Sequence, residues 1–188
     1  MKYFFISLTI LLMFACDNNF TPKPYAYFRV DLPEHSYRQF DTLNLPYRFE
    51  VSNLATVVVH NEPDKENWID INYQILNASI FCSYIPIENN LWELSEDARR
   101  YVYKHTSKAE NIIERPYENP DTKIYGILYE LKGNTASSIQ FALTDSVQNF
   151  FRASLYFDSR PNKDSIAPMN DYVRQEIIHL IETFEWKK

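Results

Sequence analysis

"NNLWELSEDARRYVYKHTSKAE", residues 89–110, is the stretch on which the fold class turns. Leu91, Leu94, Ala98, Tyr101 or Val102, and His105 recur every three or four residues, the spacing of one apolar helix face. Glu93, Glu96 and Asp97 crowd its start, while Arg99, Arg100, Lys104 and Lys108 come later, so the charges complement the helix dipole. The chain before it follows a different period. "YAYFRVDL" (25–32), "YRFEV" (47–51), "ATVVVH" (55–60), "NWIDINYQI" (67–75) and "ASIFCSYI" (78–85) are rich in β-branched and aromatic residues. Within 68–75 the alternation is plain: Trp68, Asp70, Asn72 and Gln74 share one face, and Ile69, Ile71, Tyr73 and Ile75 the other. Strand signals resume at "NIIERPY", "KIYGILYEL", "SSIQFALT" and "FFRASLYF", with Gly133-Asn134 supplying a hairpin-type turn. A last helix is predicted after "PNKDS", with Met169, Val173, Ile177, Leu180 and Phe184 as its stripe and Pro168 in its first turn. Strands joined by short turns predict a mainly antiparallel β-sheet covered by two principal helices, a single α+β domain over residues 25–188.

The N-terminus carries a different kind of signal. From Tyr3 to Ala15 there are 13 mostly apolar residues behind Lys2. As a helix they span about 20 Å, too short for a bilayer core of roughly 30 Å. The charge and the length suit a signal peptide over residues 1–15. Ala15-Cys16 resembles the lipobox of a bacterial lipoprotein, although Met13 and Phe14 stand before Ala15 and Leu12 lies one place too early. Cys16 is therefore the expected lipidation site, and the lipid anchor there the expected link to a membrane. Residues 16–24, with "DNNFTPKP" after the cysteine, read as an extended tether.

Removing residues 1–15 takes away one positive charge and leaves 18 basic against 25 acidic residues, a net charge of −7. An acidic chain with no basic run is a poor partner for nucleic acid. With Cys16 lipidated, Cys82 is the one remaining thiol, set in "ASIFCSYIPI", where a buried and inert role is expected. Two glycines in 188 residues exclude the glycine-rich loops that cradle phosphates.

His35, His60, His105 and His179 are scattered. "HNEPD" sets His60 near Glu62 and Asp64, a potential metal group, but a solvated loop turning at Pro63 suits the pattern better. Glu176 and Glu182 flank His179 at helical spacing, which predicts surface pairing. Acidic pairs at Glu96-Asp97 and Glu114/Glu118 show no convergence of the kind acid–base chemistry needs. The aromatics, 14 Tyr, 13 Phe and 3 Trp, predict a β-rich core. No catalytic residue, cofactor site or metal site is assigned.

Three blocks carry a family resemblance: "TPKPYAYFRVDLPEHSY", "YVYKHTSKAENIIERPY" and "FALTDSVQNFFRASLYFDSRPNKDSIAPMNDYVRQEIIHLIETFEW". Together they resemble the gliding motility lipoprotein GldD family of Bacteroidetes. The element order also loosely resembles that of the Mog1/PsbP-like fold. The family resemblance implies a cell-envelope lipoprotein required for gliding, associated with the type IX secretion machinery and with other envelope proteins of that apparatus. It implies no catalytic residues; Cys16 is the site that transfers. A non-catalytic docking component is the expectation, and a periplasmic hydrolase acting on glycan or peptide the alternative. Lys23, Arg29, Asp31, Arg152 and Asp164 are polar residues set among apolar ones within these blocks, suited to salt bridges and caps or to partner contact. Asp17 is the one acid just after Cys16, which favours a periplasm-facing domain. Thr42, Ser146 and Ser165 each follow Asp and precede an apolar residue, a pattern similar to periplasmic O-glycosylation acceptors; Ser165 is equally a candidate helix cap.

Overall fold

The computed structural model describes residues 31–104, 107–158 and 162–187. Cys16, the tether, Lys23, Arg29, His105 and most of the strand predicted over 25–32 lie outside the described residues. Ten strands and two α-helices follow: β1 (Tyr37–Phe40), β2 (Tyr47–Ser52), β3 (Thr56–Val59), β4 (Ile69–Tyr73), β5 (Ala78–Pro86), α1 (Leu91–Tyr103), β6 (Ala109–Asn119), β7 (Ile124–Gly133), β8 (Ile139–Thr144), β9 (Asn149–Phe157), α2 (Lys163–Glu182) and β10 (Glu185–Trp186). The architecture is α+β, with antiparallel sheets and two helices, as the patterning predicts.

The larger sheet runs β3-β4-β5-β9-β8-β7-β6, and the smaller β1-β2-β10, with every pairing antiparallel. The period-2 pattern explains why one face of the large sheet is closed. Ile69, Ile71 and Tyr73 of β4, Ile80 and Cys82 of β5, Phe141 and Leu143 of β8, and Phe151 and Leu155 of β9 all join one buried core. The small sheet (Tyr47, Phe49) and α2 (Val173, Ile177, Leu180, Ile181) complete it, with Phe184 just beyond the helix. Phe184 lies 5.1 Å from Phe151 and 5.6 Å from Tyr47, ring centroid to centroid, distances at which aromatic pairs add to plain area burial.

On the opposite face α1 covers only part of the sheet. Val102 packs with Tyr129 and Leu131 of β7, beside Ile112 and Ile127, in a separate smaller cluster. Ala98 and Val102 are the buried positions of α1, and Tyr101 is exposed, so the stripe runs through Val102.

Glu130 ties these parts together from inside. It is the buried charged residue of β7, and its side chain is 5% exposed. Oε1 accepts from Arg174 Nε of α2 at 2.8 Å and from Arg115 Nε of β6 at 3.0 Å, and Lys132 Nζ lies 3.5 Å from Oε2. Burial pushes its carboxyl pKa up, but hydrogen bonds and charges from Arg174 and then Arg115 outweigh this and hold it below the usual range.

Four predicted details are corrected. Ile75 is 74% exposed, because β4 ends at Tyr73 in a 3-10 turn (Gln74–Leu76) that puts Leu76 inside instead. Asn77 closes that turn in the left-handed region, φ 47°. The last helix begins at Lys163, so Pro168 lies past its first turn. Asn162, and not Ser165, is the cap, accepting from the backbone N–H groups of Asp164 and Ser165. Gly133 ends β7 with φ +113°, and a loop over 134–138 precedes β8 where a tight two-residue turn is predicted. A Cβ at Gly133 would lie 2.7 Å from the Lys108 carbonyl oxygen, so glycine is required there for space and for conformation.

Candidate functional site

The uncovered part of the large sheet is built by register. Val58, Asp70, Phe81, Ser154 and Gln140 pair in turn across β3, β4, β5, β9 and β8, so all five point to the face that α1 shares. Ser83 of β5 pairs with Arg152 of β9 in the neighbouring row. Toward β8 these rows are closed by α1; toward β3 they are open, leaving Val58 45% and Phe81 49% exposed. The open part forms a cavity of about 400 Å³ whose lining includes His60, Lys65, Trp68, Phe81, Arg152 and Tyr156.

Arg152 dominates its chemistry. The guanidinium carbon sits 4.3 Å from the centroid of the Tyr101 ring, within cation–π range. Nη2 donates to Gln140 Oε1 at 3.3 Å and to Ser154 Oγ at 3.4 Å, both longer than the usual N–H···O distance. No carboxylate of the described residues pairs with it. Burial lowers its pKa, but an arginine stays charged at any physiological pH. Lys104 brings a second cation to the Tyr101 ring, with Nζ 4.4 Å from the centroid.

The cavity walls are fixed in place. Trp68 Nε1 donates to the Tyr84 carbonyl at 3.1 Å, and the Phe81 and Tyr156 rings lie 5.7 Å apart across β5 and β9. Asp70 lies at the rim, 3.0 Å from His60 Nε2, and the other imidazole nitrogen, Nδ1, lies 3.2 Å from Glu62 Oε2. His60 is thus engaged by two carboxylates. Asp64 sits exposed in the 3-10 turn Pro63–Lys65, so His60, Glu62 and Asp64 do not converge, and the predicted loop at Pro63 holds. Among the described residues there is no group of three His, Cys, Asp or Glu side chains placed to hold a metal.

Elsewhere the structure redistributes predicted partners. His179 pairs with Glu50 of β2 at 2.7 Å and stacks on Tyr37 at 3.6 Å, a cross-element contact where surface pairing with Glu176 or Glu182 is predicted. Glu176 is buried and meets His35 Nδ1 at 2.5 Å, and His35 stacks on Tyr172 at 4.3 Å. These contacts fasten the segment entering the described residues to α2. Asp97 pairs with Arg100 within α1, and Glu114 accepts from the Tyr103 hydroxyl at 2.7 Å. Glu118 and Asp164 are exposed. Ser146 is exposed in a turn with φ 68°. That turn is held by Asp145, whose Oδ1 accepts three successive backbone N–H groups. Cys82 is buried, and burial raises its thiol pKa, as an inert thiol requires. The cavity was not predicted. A positive residue in a β-rich sequence is unremarkable until the register places it beside Tyr101 and opposite Ser83.

Residues 17–186 match the model of the family described as gliding motility lipoprotein GldD. The chain belongs to the gliding motility lipoprotein GldD family, as the three sequence blocks suggest, and membership carries a role in gliding motility. No curated protein matches the sequence. Among solved structures, the solution structure of cyanobacterial PsbP from Synechocystis is similar at 12% identity and a TM-score of 0.49, over 84% of this chain and 96% of that one.

Proposed function

We propose that this member of the gliding motility lipoprotein GldD family is a membrane-anchored envelope component of the gliding and type IX secretion apparatus that works by docking and not by turnover. The anchor is a lipid on Cys16, and the tether over 16–24 joins it to one α+β domain, facing the periplasm. Confinement near a membrane raises the effective concentration of such a domain for envelope partners. The observation that carries docking is the half-open sheet face. Its groups are those of recognition: a cation held on an aromatic ring, and apolar side chains at Val58 and Phe81 left outside the core.

Complementation of a deletion strain separates docking from the hydrolase alternative. Single Ala changes at His35, His60, His105, His179, Glu62 and Asp64 are expected to leave spreading and type IX secretion intact when the protein accumulates normally. Phe81→Asp is expected to impair both. An abundant His or carboxylate variant that abolishes motility, with Phe81→Asp silent, overturns docking in favour of an enzyme.

A further inference from the structure

The cavity beside Arg152 has a ligand chemistry that can be specified, and specifying it deepens the docking reading without depending on the in vivo outcome. Arg152 is a half-buried cation whose only polar partners among the described residues are two neutral oxygens at 3.3 and 3.4 Å. Taking a charge out of water without an opposite charge is costly, and elsewhere in this fold a buried charge is answered: Glu130 has two arginines and a lysine. At Arg152 the Tyr101 ring and two neutral oxygens offset part of that cost, and no opposite charge among the described residues offsets the rest. Gln140, which supplies one of the two oxygens, is 1% exposed, and its Nε2 has no partner among the described residues. The whole polar group at this point is therefore under-satisfied on the acceptor side, in a chain whose overall charge is negative.

Lys65 lines the same cavity, so two cations, Arg152 and Lys65, face it. The one acid lining it, Asp70, is occupied by His60. Guanidinium geometry matches a planar two-oxygen anion in a fork. Next to it stand the Phe81 and Tyr156 rings and the fixed Trp68 indole, surfaces for an apolar group and not for a second charge. We propose that this cavity binds a carboxylate carried next to an aromatic or branched apolar group, with the carboxylate on Arg152 and the apolar group against Phe81, Trp68 and Tyr156. Such a group occurs at the C-terminus of a polypeptide and in free small aromatic acids.

Isothermal titration calorimetry of the detergent-solubilised full chain tests this with N-acetyl-phenylalanine, its C-terminal amide and 3-phenylpropionate. The acid is expected to bind at least about tenfold more tightly than the amide, since the amide forfeits the charge-assisted pair. Tighter binding of N-acetyl-phenylalanine than of 3-phenylpropionate supports a chain terminus as the source, and the reverse order a free acid. Arg152→Gln is expected to abolish the preference for acid over amide. Because Arg152 is part of the α1 packing, Lys65→Gln, at the other cation lining the cavity, serves as a second variant; it is expected to weaken the acid several-fold and leave the amide unchanged. Equal binding of acid and amide, absence of binding by either, or an acid preference that survives in folded Arg152→Gln overturns the assignment. Loss of motility in Phe81→Asp with no acid preference in calorimetry would leave docking standing and remove this ligand.

Discussion

Replacing Arg174 with Met tests the claim that Glu130 holds α2 to the sheet. Met keeps the apolar stem and removes the hydrogen bond from Nε to Oε1 at 2.8 Å and the ion-pair contact of Nη2 with the same oxygen at 2.7 Å. The carboxylate left behind is 5% exposed, so water cannot replace them. Removing one partner of a buried pair costs about 3–5 kcal/mol. Arg115 and Lys132 remain within 3.0 and 3.5 Å, which places the expected loss at the lower end, about 3 kcal/mol. Arg115→Met should cost only about 1 kcal/mol, because Arg115 is half exposed and contributes one bond. For a chain of this size the Arg174 loss corresponds to roughly 6–12 °C in Tm. Urea unfolding followed by fluorescence measures the difference directly. A second handle is pH. Glu130 has a folded-state pKa below its ordinary value, so its contribution is complete above the unfolded pKa of about 4.3 and is lost as pH falls through the folded value. The stability gap between wild type and Glu130→Gln should therefore be constant near neutrality and shrink below about pH 4.5. An Arg174→Met loss under about 0.5 kcal/mol, an Arg115 effect as large, or a gap unchanged down to pH 3 would refute the reasoning.

Ile177 is 1% exposed in the stripe of α2, so Ile177→Ala should cost about 2–5 kcal/mol, read from the urea midpoint at constant m-value. Metabolic labelling with a palmitate analogue should mark the wild type and miss Cys16→Ser, and equal labelling of both removes the anchor. The intact mass of the native protein then tests Thr42, Ser146 and Ser165: a mass equal to peptide plus lipid excludes glycans at all three.

Much of the fold was legible because the signals are local. Alternation in 69–73 reports a strand buried on one side, and the three-four spacing of Ala98 and Val102 reports a helix lying on a sheet. The family likeness of whole blocks is likewise a property of the sequence itself. β1 and β10 were illegible, being short strands that exist only because both pair with β2. Ile75 misled for a related reason: its pattern continues the strand, but a left-handed Asn77 ends it. The site was less legible still. Arg152, Lys65 and Tyr101 lie on β9, in a 3-10 turn and on α1, and their meeting depends on how far α1 reaches across the sheet. His35 and Glu176, 141 positions apart, meet for the same kind of reason. Periodicity constrains which face a side chain takes; only the packing of distant elements decides what stands opposite it, and a charge acquires a ligand or a partner from what stands opposite.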